Sequence, residues 1–171
     1  MENLTYITGN YGKYVAVKDA FSKSGIDIHF FSCDLDEADI NDIEFISKGK
    51  AQEAFEIVKS PVIVADCGFY IENYPGNPGY PGVSSDVDKL LEIMKDVDNR
   101  GCYFLDCLTF YDGTSFEQFL GKSHGSLAKC KKGNAIKKAK SNLWYVFVPD
   151  NCDKTLAEMT DEERNNGPDN R

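Results

Sequence analysis

Apolar positions along this chain switch between the spacing of strands and the spacing of helices. Residues 4–7 form a short apolar run, and from Tyr11 onward apolar side chains recur every three or four residues until Gly25. Residues 26–30 then alternate apolar with polar side chains, which is typical of a half-buried strand. The opening of the chain therefore predicts a strand, a tight turn, a helix that ends near Gly25 and a second strand.

The same alternation of elements continues to the end of the chain. The further predicted elements are helices over residues 41–59, from about 85 and from about 161, and strands over residues 62–65, 102–111, 116–120, 126–130 and 143–148. Asp112-Gly113 joins two of these strands and predicts a hairpin. No repeat or linker interrupts the pattern, so we expect a single α/β domain over residues 1–171, with a mixed sheet flanked by helices.

The composition is that of a globular protein, and its excess of acidic over basic residues argues against some classes of binding partner. Hydrophobic residues make up 42% of the chain, and the longest apolar run, 143–148, is far shorter than the ~20 residues that span a membrane. The net charge of −9 argues against nucleic acids and anionic membrane surfaces, whose phosphates would be repelled. The six cysteines form no CxxC pair and no zinc-type spacing with the two histidines. We therefore expect reduced thiols in a cytoplasmic protein, with disulfides as the alternative.

A polar turn follows the first predicted strand and offers two interpretations. Thr8-Gly9-Asn10 precedes the predicted helix, and Lys13 lies in its first turn. The backbone N–H groups and the positive dipole end of such a helix favour an anion, usually phosphate. The alternative is an ordinary strand-to-helix corner with Asn10 as the N-cap.

Three further positions carry candidate chemistry, each with a structural alternative. Residues 34–39 hold four carboxylates, which either form a solvated loop or supply a ligand to a divalent cation. Lys50 lies on the apolar stripe of the second helix, where its amine reaches either the rim of the core or a cleft. Asp66 directly follows a buried strand, where open α/β sheets place ligand chemistry, although such an aspartate also caps turns.

In their order along the chain, these signals resemble one family, the inosine/xanthosine triphosphate pyrophosphatases, which remove nonstandard purine nucleotides. The motifs that carry the resemblance are Ile7-Thr8-Gly9-Asn10 with Lys13, Asp34-Leu35-x-Glu37, Lys50-Ala51-Gln52-Glu53-Ala54, Val64-Ala65-Asp66-Cys67-Gly68, Tyr80-Pro81-Gly82, Phe119-x-Gly121-x-x-x-Gly125, and Phe147-x-Pro149-Asp150 followed by Lys154-Thr155-x-Ala157-Glu158-Met159. The resemblance covers nearly the whole chain.

The resemblance implies a long twisted central sheet, two lobes with a nucleotide cleft between them, and a homodimer. It also implies Mg²⁺-dependent hydrolysis of a nucleoside triphosphate to the monophosphate and pyrophosphate. By matching position, the turn Thr8-Gly9-Asn10, Lys13 and Lys50 would hold the triphosphate. Glu37 and Asp66 would hold Mg²⁺ and act in catalysis, with Asp66 helping to activate the attacking water. Arg164 stands where the family has a basic residue near the nucleotide.

Two segments depart from the family pattern. Ser141-Asn142-Leu143-Trp144 replaces an aromatic-Gly-aromatic-Asp signature that helps form the base pocket, and residues 166–171 lack the family's Ser-His-Arg. A milder change is Cys67, where the family has Thr or Ser. The resemblance therefore extends to the triphosphate and not to the choice of base. The alternative hypothesis is a catalytically impaired nucleotide-binding relative with altered base preference.

Overall fold

The computed structural model describes residues 4–36, 42–76, 80–81, 86–134 and 141–166, in which strands and helices mix along the chain. The strands are β1 (Leu4–Ile7), β2 (Ile28–Phe31), β3 (Val62–Ile71), β4 (Tyr80–Pro81), β5 (Gly101–Tyr111), β6 (Phe116–Leu127) and β7 (Phe147–Pro149). The helices are α1 (Tyr11–Lys23), α2 (Ile43–Val58), α3 (Val87–Ile93) and α4 (Asp161–Asn166), with a 3₁₀ helix at Asn142–Tyr145. The predicted mixed α/β class is confirmed, and α1 and α2 end within two residues of their predicted bounds.

All seven strands belong to one sheet in the order β2-β1-β3-β5-β6-β7, with β4 paired to β3. β1 runs parallel to both of its neighbours, with Ile7 opposite Phe31 of β2 and Tyr6 opposite Ile63 of β3. β4 and β7 run antiparallel to their partners. Because parallel strands end at the same edge of a sheet, the residues after Ile7 and those after Phe31 emerge together, beside the part of β3 that follows Ile63.

The contacts of the chain divide it into two compact units. Unit 1 comprises Met1–Cys67 and Asp106–Leu120, and unit 2 comprises Gly68–Leu105 and Gly121–Arg171. Three long strands, β3, β5 and β6, contribute residues to both units. The expected single domain over residues 1–171 stays a prediction.

Unit 1 has a core on each face of its sheet. One cluster packs β1 and β3 against small side chains of α2, and its buried members are Ile7, Ala51, Ala54, Val62 and Val64. The other packs the opposite face against α1, and its buried members are Tyr6, Tyr14, Ile28 and Ile63. Alternation along the strands explains the division, because neighbouring residues of a strand point to opposite faces.

Unit 2 has one larger core, in which α3 and the 3₁₀ segment cover strands β3, β5 and β6. Its most buried members include Ile71, Met94, Cys102 and Phe147. Arg100 is also buried there, and its guanidinium donates to the carbonyls of Leu127 (2.7 Å), Ala128 (3.0 Å) and Met94. These three acceptors compensate for the burial, which itself lowers the pKa of Arg100.

The predicted hairpin is confirmed, with a turn fixed by one aspartate. Asp112 Oδ1 accepts hydrogen bonds from the backbone N–H groups of Thr114 and Ser115, each at 2.8 Å. The second strand is longer than expected: β6 runs without a break to Leu127, so the separate strand predicted over residues 126–130 is wrong. Strand β3 is likewise longer, because it continues past Gly68 to Ile71, and Asp66 lies inside the strand rather than at its end.

The strand predicted over residues 143–148 is wrong in its first half. Ser141 caps a 3₁₀ helix, its Oγ accepting from the backbone N–H of Leu143 at 3.1 Å, and only Phe147–Pro149 pairs as a strand. The capping box is confirmed, since Thr160 and Glu163 exchange side-chain-to-backbone hydrogen bonds at the start of α4. In the described part of the chain, no helix is long and apolar enough to cross a membrane.

Candidate active site

The turn between β1 and α1 is shaped by its own polar side chains. Thr8 Oγ1 accepts from the backbone N–H of Asn10 at 3.0 Å, and Asn10 Oδ1 accepts from the N–H of Lys13 at 3.2 Å. Asn10 is therefore the N-cap, as the sequence predicts. The N–H of Thr8 donates to the carbonyl of Phe31 (3.3 Å) and ties the turn to the end of β2. The corner is well formed, and a cap of this kind is compatible with an anion at the helix end.

The N-terminal end of α1 keeps its positive character. Its first turn contains no acidic residue, whereas the first turns of α2, α3 and α4 each contain at least one. Lys13 lies in that first turn of α1, half-buried, and within the described residues its ammonium makes no ion pair. A helix dipole and a lysine in its first turn favour the same ligand, a negatively charged group.

A carboxylate approaches this turn from the loop after β2. The side chain of Asp34 lies against Gly9, so closely that a Cβ atom on Gly9 would overlap Asp34 Oδ1. A side chain at position 9 would therefore have to displace the carboxylate of Asp34. The same loop is held by α2, because Glu53 Oε2 accepts from the backbone N–H of Asp36 at 2.9 Å. Glu37, the predicted metal ligand of this loop, lies outside the described residues, and its role stays a prediction.

Lys50 and Asp66 form an ion pair within unit 1. The distance between Lys50 Nζ and Asp66 Oδ2 is 3.2 Å, and each side chain is only 12% exposed. The second oxygen, Asp66 Oδ1, accepts from the N–H of Cys67 at 2.9 Å. Of the two interpretations of Lys50, the structure favours the one in which its amine points to a polar group near the sheet rather than to the solvent-exposed rim.

Tyr6 is a buried polar group in the neighbourhood of Asp66. Its side chain is fully buried, and within the described residues its hydroxyl has no hydrogen-bond partner. Burial raises the pKa of Tyr6, and the nearby carboxylates of Asp106 and Asp66 raise it further. The phenol is therefore held in its protonated form, as a buried donor whose usual partner would be an ordered water.

Arg164 lies in unit 2, where its side chain makes hydrogen bonds and a ring contact with neighbouring residues. Its guanidinium donates to the carbonyl of Leu156 at 2.7 Å, to that of Met159, and to the carboxylate of Asp161. It also stacks over the ring of Trp144, 5.3 Å from the ring centre. These contacts clip α4 to the preceding turn and to the 3₁₀ helix. The predicted contact of Arg164 with a nucleotide stays a prediction.

The oxygen-rich groups of unit 1 fit a hard divalent cation. Within the described residues there is no cluster of three His, Cys, Asp or Glu side chains, but Mg²⁺ commonly takes one or two carboxylates and completes its shell with water and phosphate oxygens. Asp66 is a carboxylate of the required kind. Asp34 beside Gly9 would repel a phosphate at the turn, unless a cation between them neutralises both.

Two residues of this site, Asp34 and Glu53, were not predicted as site residues from the sequence. Asp34 belongs to the acidic run, but its approach to Gly9 depends on the parallel pairing of β1 with β2. Glu53 is one turn beyond Lys50 on α2. A helical projection that starts from Lys50 would have placed it near the same side of the helix.

A mixed α/β sheet whose parallel strands end at a polar turn, with lysines and carboxylates close by, is typical of proteins that bind phosphorylated ligands. The chain belongs to the Ham1 family, whose sequence model matches residues 4–167. A dITP/XTP pyrophosphatase of Saccharolobus solfataricus is 27% identical over 163 residues, which cover 93% of this chain and 83% of the relative. An inosine triphosphate pyrophosphatase of Trypanosoma cruzi is 31% identical over 170 residues, covering 95% and 83%.

Solved structures agree on the fold. The Ham1 protein of Staphylococcus aureus superposes with a TM-score of 0.72 at 21% identity, covering 95% of this chain and 90% of that one. A Ham1 protein of Coxiella burnetii gives a TM-score of 0.71 at 16% identity, covering 95% and 90%. The predicted family and fold class are thus both confirmed.

Proposed function

We propose that this chain hydrolyses a nucleoside triphosphate to the nucleoside monophosphate and pyrophosphate, with Mg²⁺ as cofactor. The observation that carries the proposal is the Lys50–Asp66 pair at 3.2 Å, in the same unit as the capped turn of α1 and Lys13, which makes no ion pair with the residues that the structure describes. The names of the relatives, dITP/XTP and inosine triphosphate pyrophosphatases, support the reaction and the substrate class.

Each side chain has a role that its chemistry allows. The turn Thr8–Asn10 and the helix end behind it would hold a phosphate group, with Lys13 adding a positive charge. Lys50 would contact a second phosphate and stabilise the charge that develops there. Asp66 would orient a water and accept its proton while the water oxygen bonds to phosphorus. The bridging oxygen between the α and β groups then leaves with pyrophosphate.

Mg²⁺ would be held by Asp66 and Glu37, and Asp34 is a further carboxylate within unit 1 that could join them. When bound, the ion neutralises phosphate charge and polarises the scissile bond. Asp66 keeps its position in either case, because the N–H of Cys67 and the ammonium of Lys50 bind its two oxygens separately. A carboxylate accepts at about four lone-pair positions, so these bonds leave it able to act on water or metal.

The direct test is a panel of triphosphates with Mg²⁺, with pyrophosphate release as the readout. The panel contains the common ribo- and deoxyribonucleoside triphosphates together with inosine and xanthosine triphosphate. Asp66→Asn should lose about 10²-fold or more in kcat, while Asp19→Asn, an exposed aspartate of α1, serves as the matched control. Turnover of no triphosphate, or turnover that Asp66→Asn leaves unchanged, would refute the proposal.

A second candidate function is nucleotide binding without efficient turnover. The observation in its favour is the segment that replaces the base signature: Leu143 is buried in a 3₁₀ helix, and Trp144 is covered by Arg164. Weak anchoring of the base would misplace the phosphates, and a displacement of about 1 Å can cost on the order of 10²-fold in rate. Calorimetric titration with a triphosphate and Mg²⁺ separates the two candidates, because binding without pyrophosphate release favours the second.

We extend the proposal to a homodimer that works in the cytoplasm. Tyr70 and Tyr103 of unit 2 stack 5.0 Å apart and are only half-buried, and the ammonium of Lys122 lies 4.9 Å from the ring centre of Tyr103. Aromatic side chains are enriched at subunit interfaces, which supports a partner on this face. All six cysteines are free thiols, which supports a reducing compartment. Light scattering on the purified protein would give the mass of the particle.

A further inference from the structure

A small polar network lies between α2 and the strands β5 and β6. Ser47 of α2 and Thr109 of β5 are both fully buried, and their hydroxyl oxygens are 2.6 Å apart. Gln118 of β6 completes the network: its Nε2 donates to Thr109 Oγ1 at 2.9 Å and to the carbonyl of Glu44 in the first turn of α2 at 3.0 Å. The bond to Glu44 joins the helix to the sheet, the bond to Thr109 joins β6 to β5, and the same nitrogen also lies 3.5 Å from Cys107 Sγ of β5.

These bonds supply something that the apolar contacts of α2 lack. The α2 side chains in this cluster are the fully buried Ala51 and Ala54, with Phe55 and Val58 partly buried beside them, so the fully buried contacts of the helix are made by small side chains. Burial of apolar surface is non-directional, so it holds the helix on the sheet but resists sliding along the helix axis weakly. A hydroxyl pair at 2.6 Å and the amide bonds to Thr109 and to the carbonyl of Glu44 are directional in both distance and angle. The network therefore fixes the position of α2 along its own axis relative to the sheet.

The position of α2 matters because Lys50 lies one turn beyond Ser47. Its Nζ is 3.2 Å from Asp66 Oδ2 on the neighbouring strand. An α-helix rises about 1.5 Å per residue, so a shift of one residue would move the base of the Lys50 side chain by about half the length of this contact. We propose that Ser47, Thr109 and Gln118 are positioning residues, which set the axial register of α2 and thereby hold the ammonium of Lys50 at Asp66. The catalytic consequence of this placement rests on the proposed function.

A purely structural role predicts a different result. If the network only stabilises unit 1, its loss should lower the melting temperature and leave Lys50 where it is. If it positions Lys50, the ammonium should become more accessible and turnover should fall even at temperatures where the protein stays folded. The two cases are separated by a measurement on Lys50 itself.

The test uses two network variants, Ser47→Ala and Gln118→Met, because one of them alone could fail to fold. Ile63→Val is the matched control: it removes a methylene from the core on the opposite face of the sheet. Each protein is acetylated briefly with an N-hydroxysuccinimide ester, and mass spectrometry gives the labelling rate of Lys50 relative to Lys48. Lys48 lies on the same helix and is exposed, so it serves as the internal reference.

We expect Lys50 to be protected in the wild type and labelled several-fold faster in both network variants, but not in Ile63→Val. We also expect kcat with the best triphosphate to fall about tenfold in the network variants, again without a matching fall in the control. Unchanged relative labelling of Lys50 in folded Ser47→Ala and Gln118→Met would overturn the inference. If the wild type hydrolyses no triphosphate, the proposed function fails by itself, and the labelling ratio still decides whether the network positions Lys50.

Discussion

The Lys50–Asp66 pair leads to a stability prediction that does not depend on any substrate. Lys50→Met keeps the length of the side chain and removes its charge, and Asp66→Asn keeps the acceptor oxygen and removes the negative charge. With the two single variants and the double variant, the coupling free energy of the pair can be measured in a double-mutant cycle.

The size of the coupling follows from the distance and the burial. Two unit charges 3.2 Å apart attract by about 5 kcal/mol at an effective dielectric constant of about 20. Part of this is offset by removing both groups from water, since each side chain is only 12% exposed. We expect each single variant to lose about 2–3 kcal/mol in the free energy of unfolding, because it removes the opposite charge from a group that is largely buried. The coupling free energy should be about 2 kcal/mol.

Urea unfolding followed by circular dichroism gives the required free energies. The control is the exposed pair Lys95–Glu92, whose charged atoms are closer, at 2.6 Å, but whose side chains are 58% and 72% exposed. Surface pairs of this kind contribute little, so its cycle should give almost no coupling. If the exposed pair couples as strongly as the buried one, or if Lys50 and Asp66 behave additively, the reasoning from burial is refuted.

Three further predictions concern other parts of the chain. Gly9→Ala should displace the carboxylate of Asp34 and reduce triphosphate turnover, with little change in melting temperature; an unaffected rate would contradict the close contact. Arg164→Met should lose about 1–3 kcal/mol of unfolding free energy in urea, because carbonyls that accept from the guanidinium lose their donor, and a neutral result would show that this clip is not needed. The backbone N–H groups of Ser115 and the residue before it hold the pKa of Asp112 at about 2, below its ordinary value of 3.8. The stability difference between wild type and Asp112→Asn should therefore be complete above about pH 4 and be lost as the pH falls through about 2. Thermal unfolding at several pH values measures this difference, and a difference that persists in acid would contradict the prediction.

Local patterns were sufficient to predict the elements near the turn of α1. The strand, the Asn10 cap and the helix depend on residues within a few positions of one another, and Asn10 does accept from the N–H of Lys13. The capping box at Thr160 and the hairpin turn at Asp112 succeeded for the same reason. Each signal is a short-range hydrogen bond that the side chain makes with its own neighbourhood.

Two predictions of strand bounds that depended on the length of an apolar run were wrong. The apolar run 143–148 suits a strand or a buried helical turn equally, and Ser141 decides the matter by capping a 3₁₀ helix. Strand β3 was predicted to stop at Asp66 because a carboxylate and a glycine interrupt the apolar run. It continues to Ile71, where β4 pairs with it. The partner that extends β3 lies outside the window in which periodicity is counted, whereas Ser141 lies just before the run and its capping role was overlooked.

The candidate site shows the same division between local and distant causes. Lys50, Asp66 and the α1 turn were found from motif residues, but their supports come from far along the chain. Gln118 binds the carbonyl of Glu44 across 74 positions, and no local pattern marks a glutamine on a strand as a clamp for a helix. Only the order of strands in the sheet brings the two together.

Helix α2 organises the candidate site through three side chains that recur at intervals of three residues. Ser47 bonds to the sheet, Lys50 pairs with Asp66, and Glu53 holds the loop that follows β2. Three residues advance about 4.5 Å along the axis and fall about 60° short of a full turn. Successive members therefore wind from the buried face of the helix toward the loop that carries Asp34. One helix carries all three residues. A shift that moves Ser47 therefore also moves the backbone of Lys50 and of Glu53, whose carboxylate holds the loop after β2. The buried network thus governs both the cationic and the anionic parts of the site.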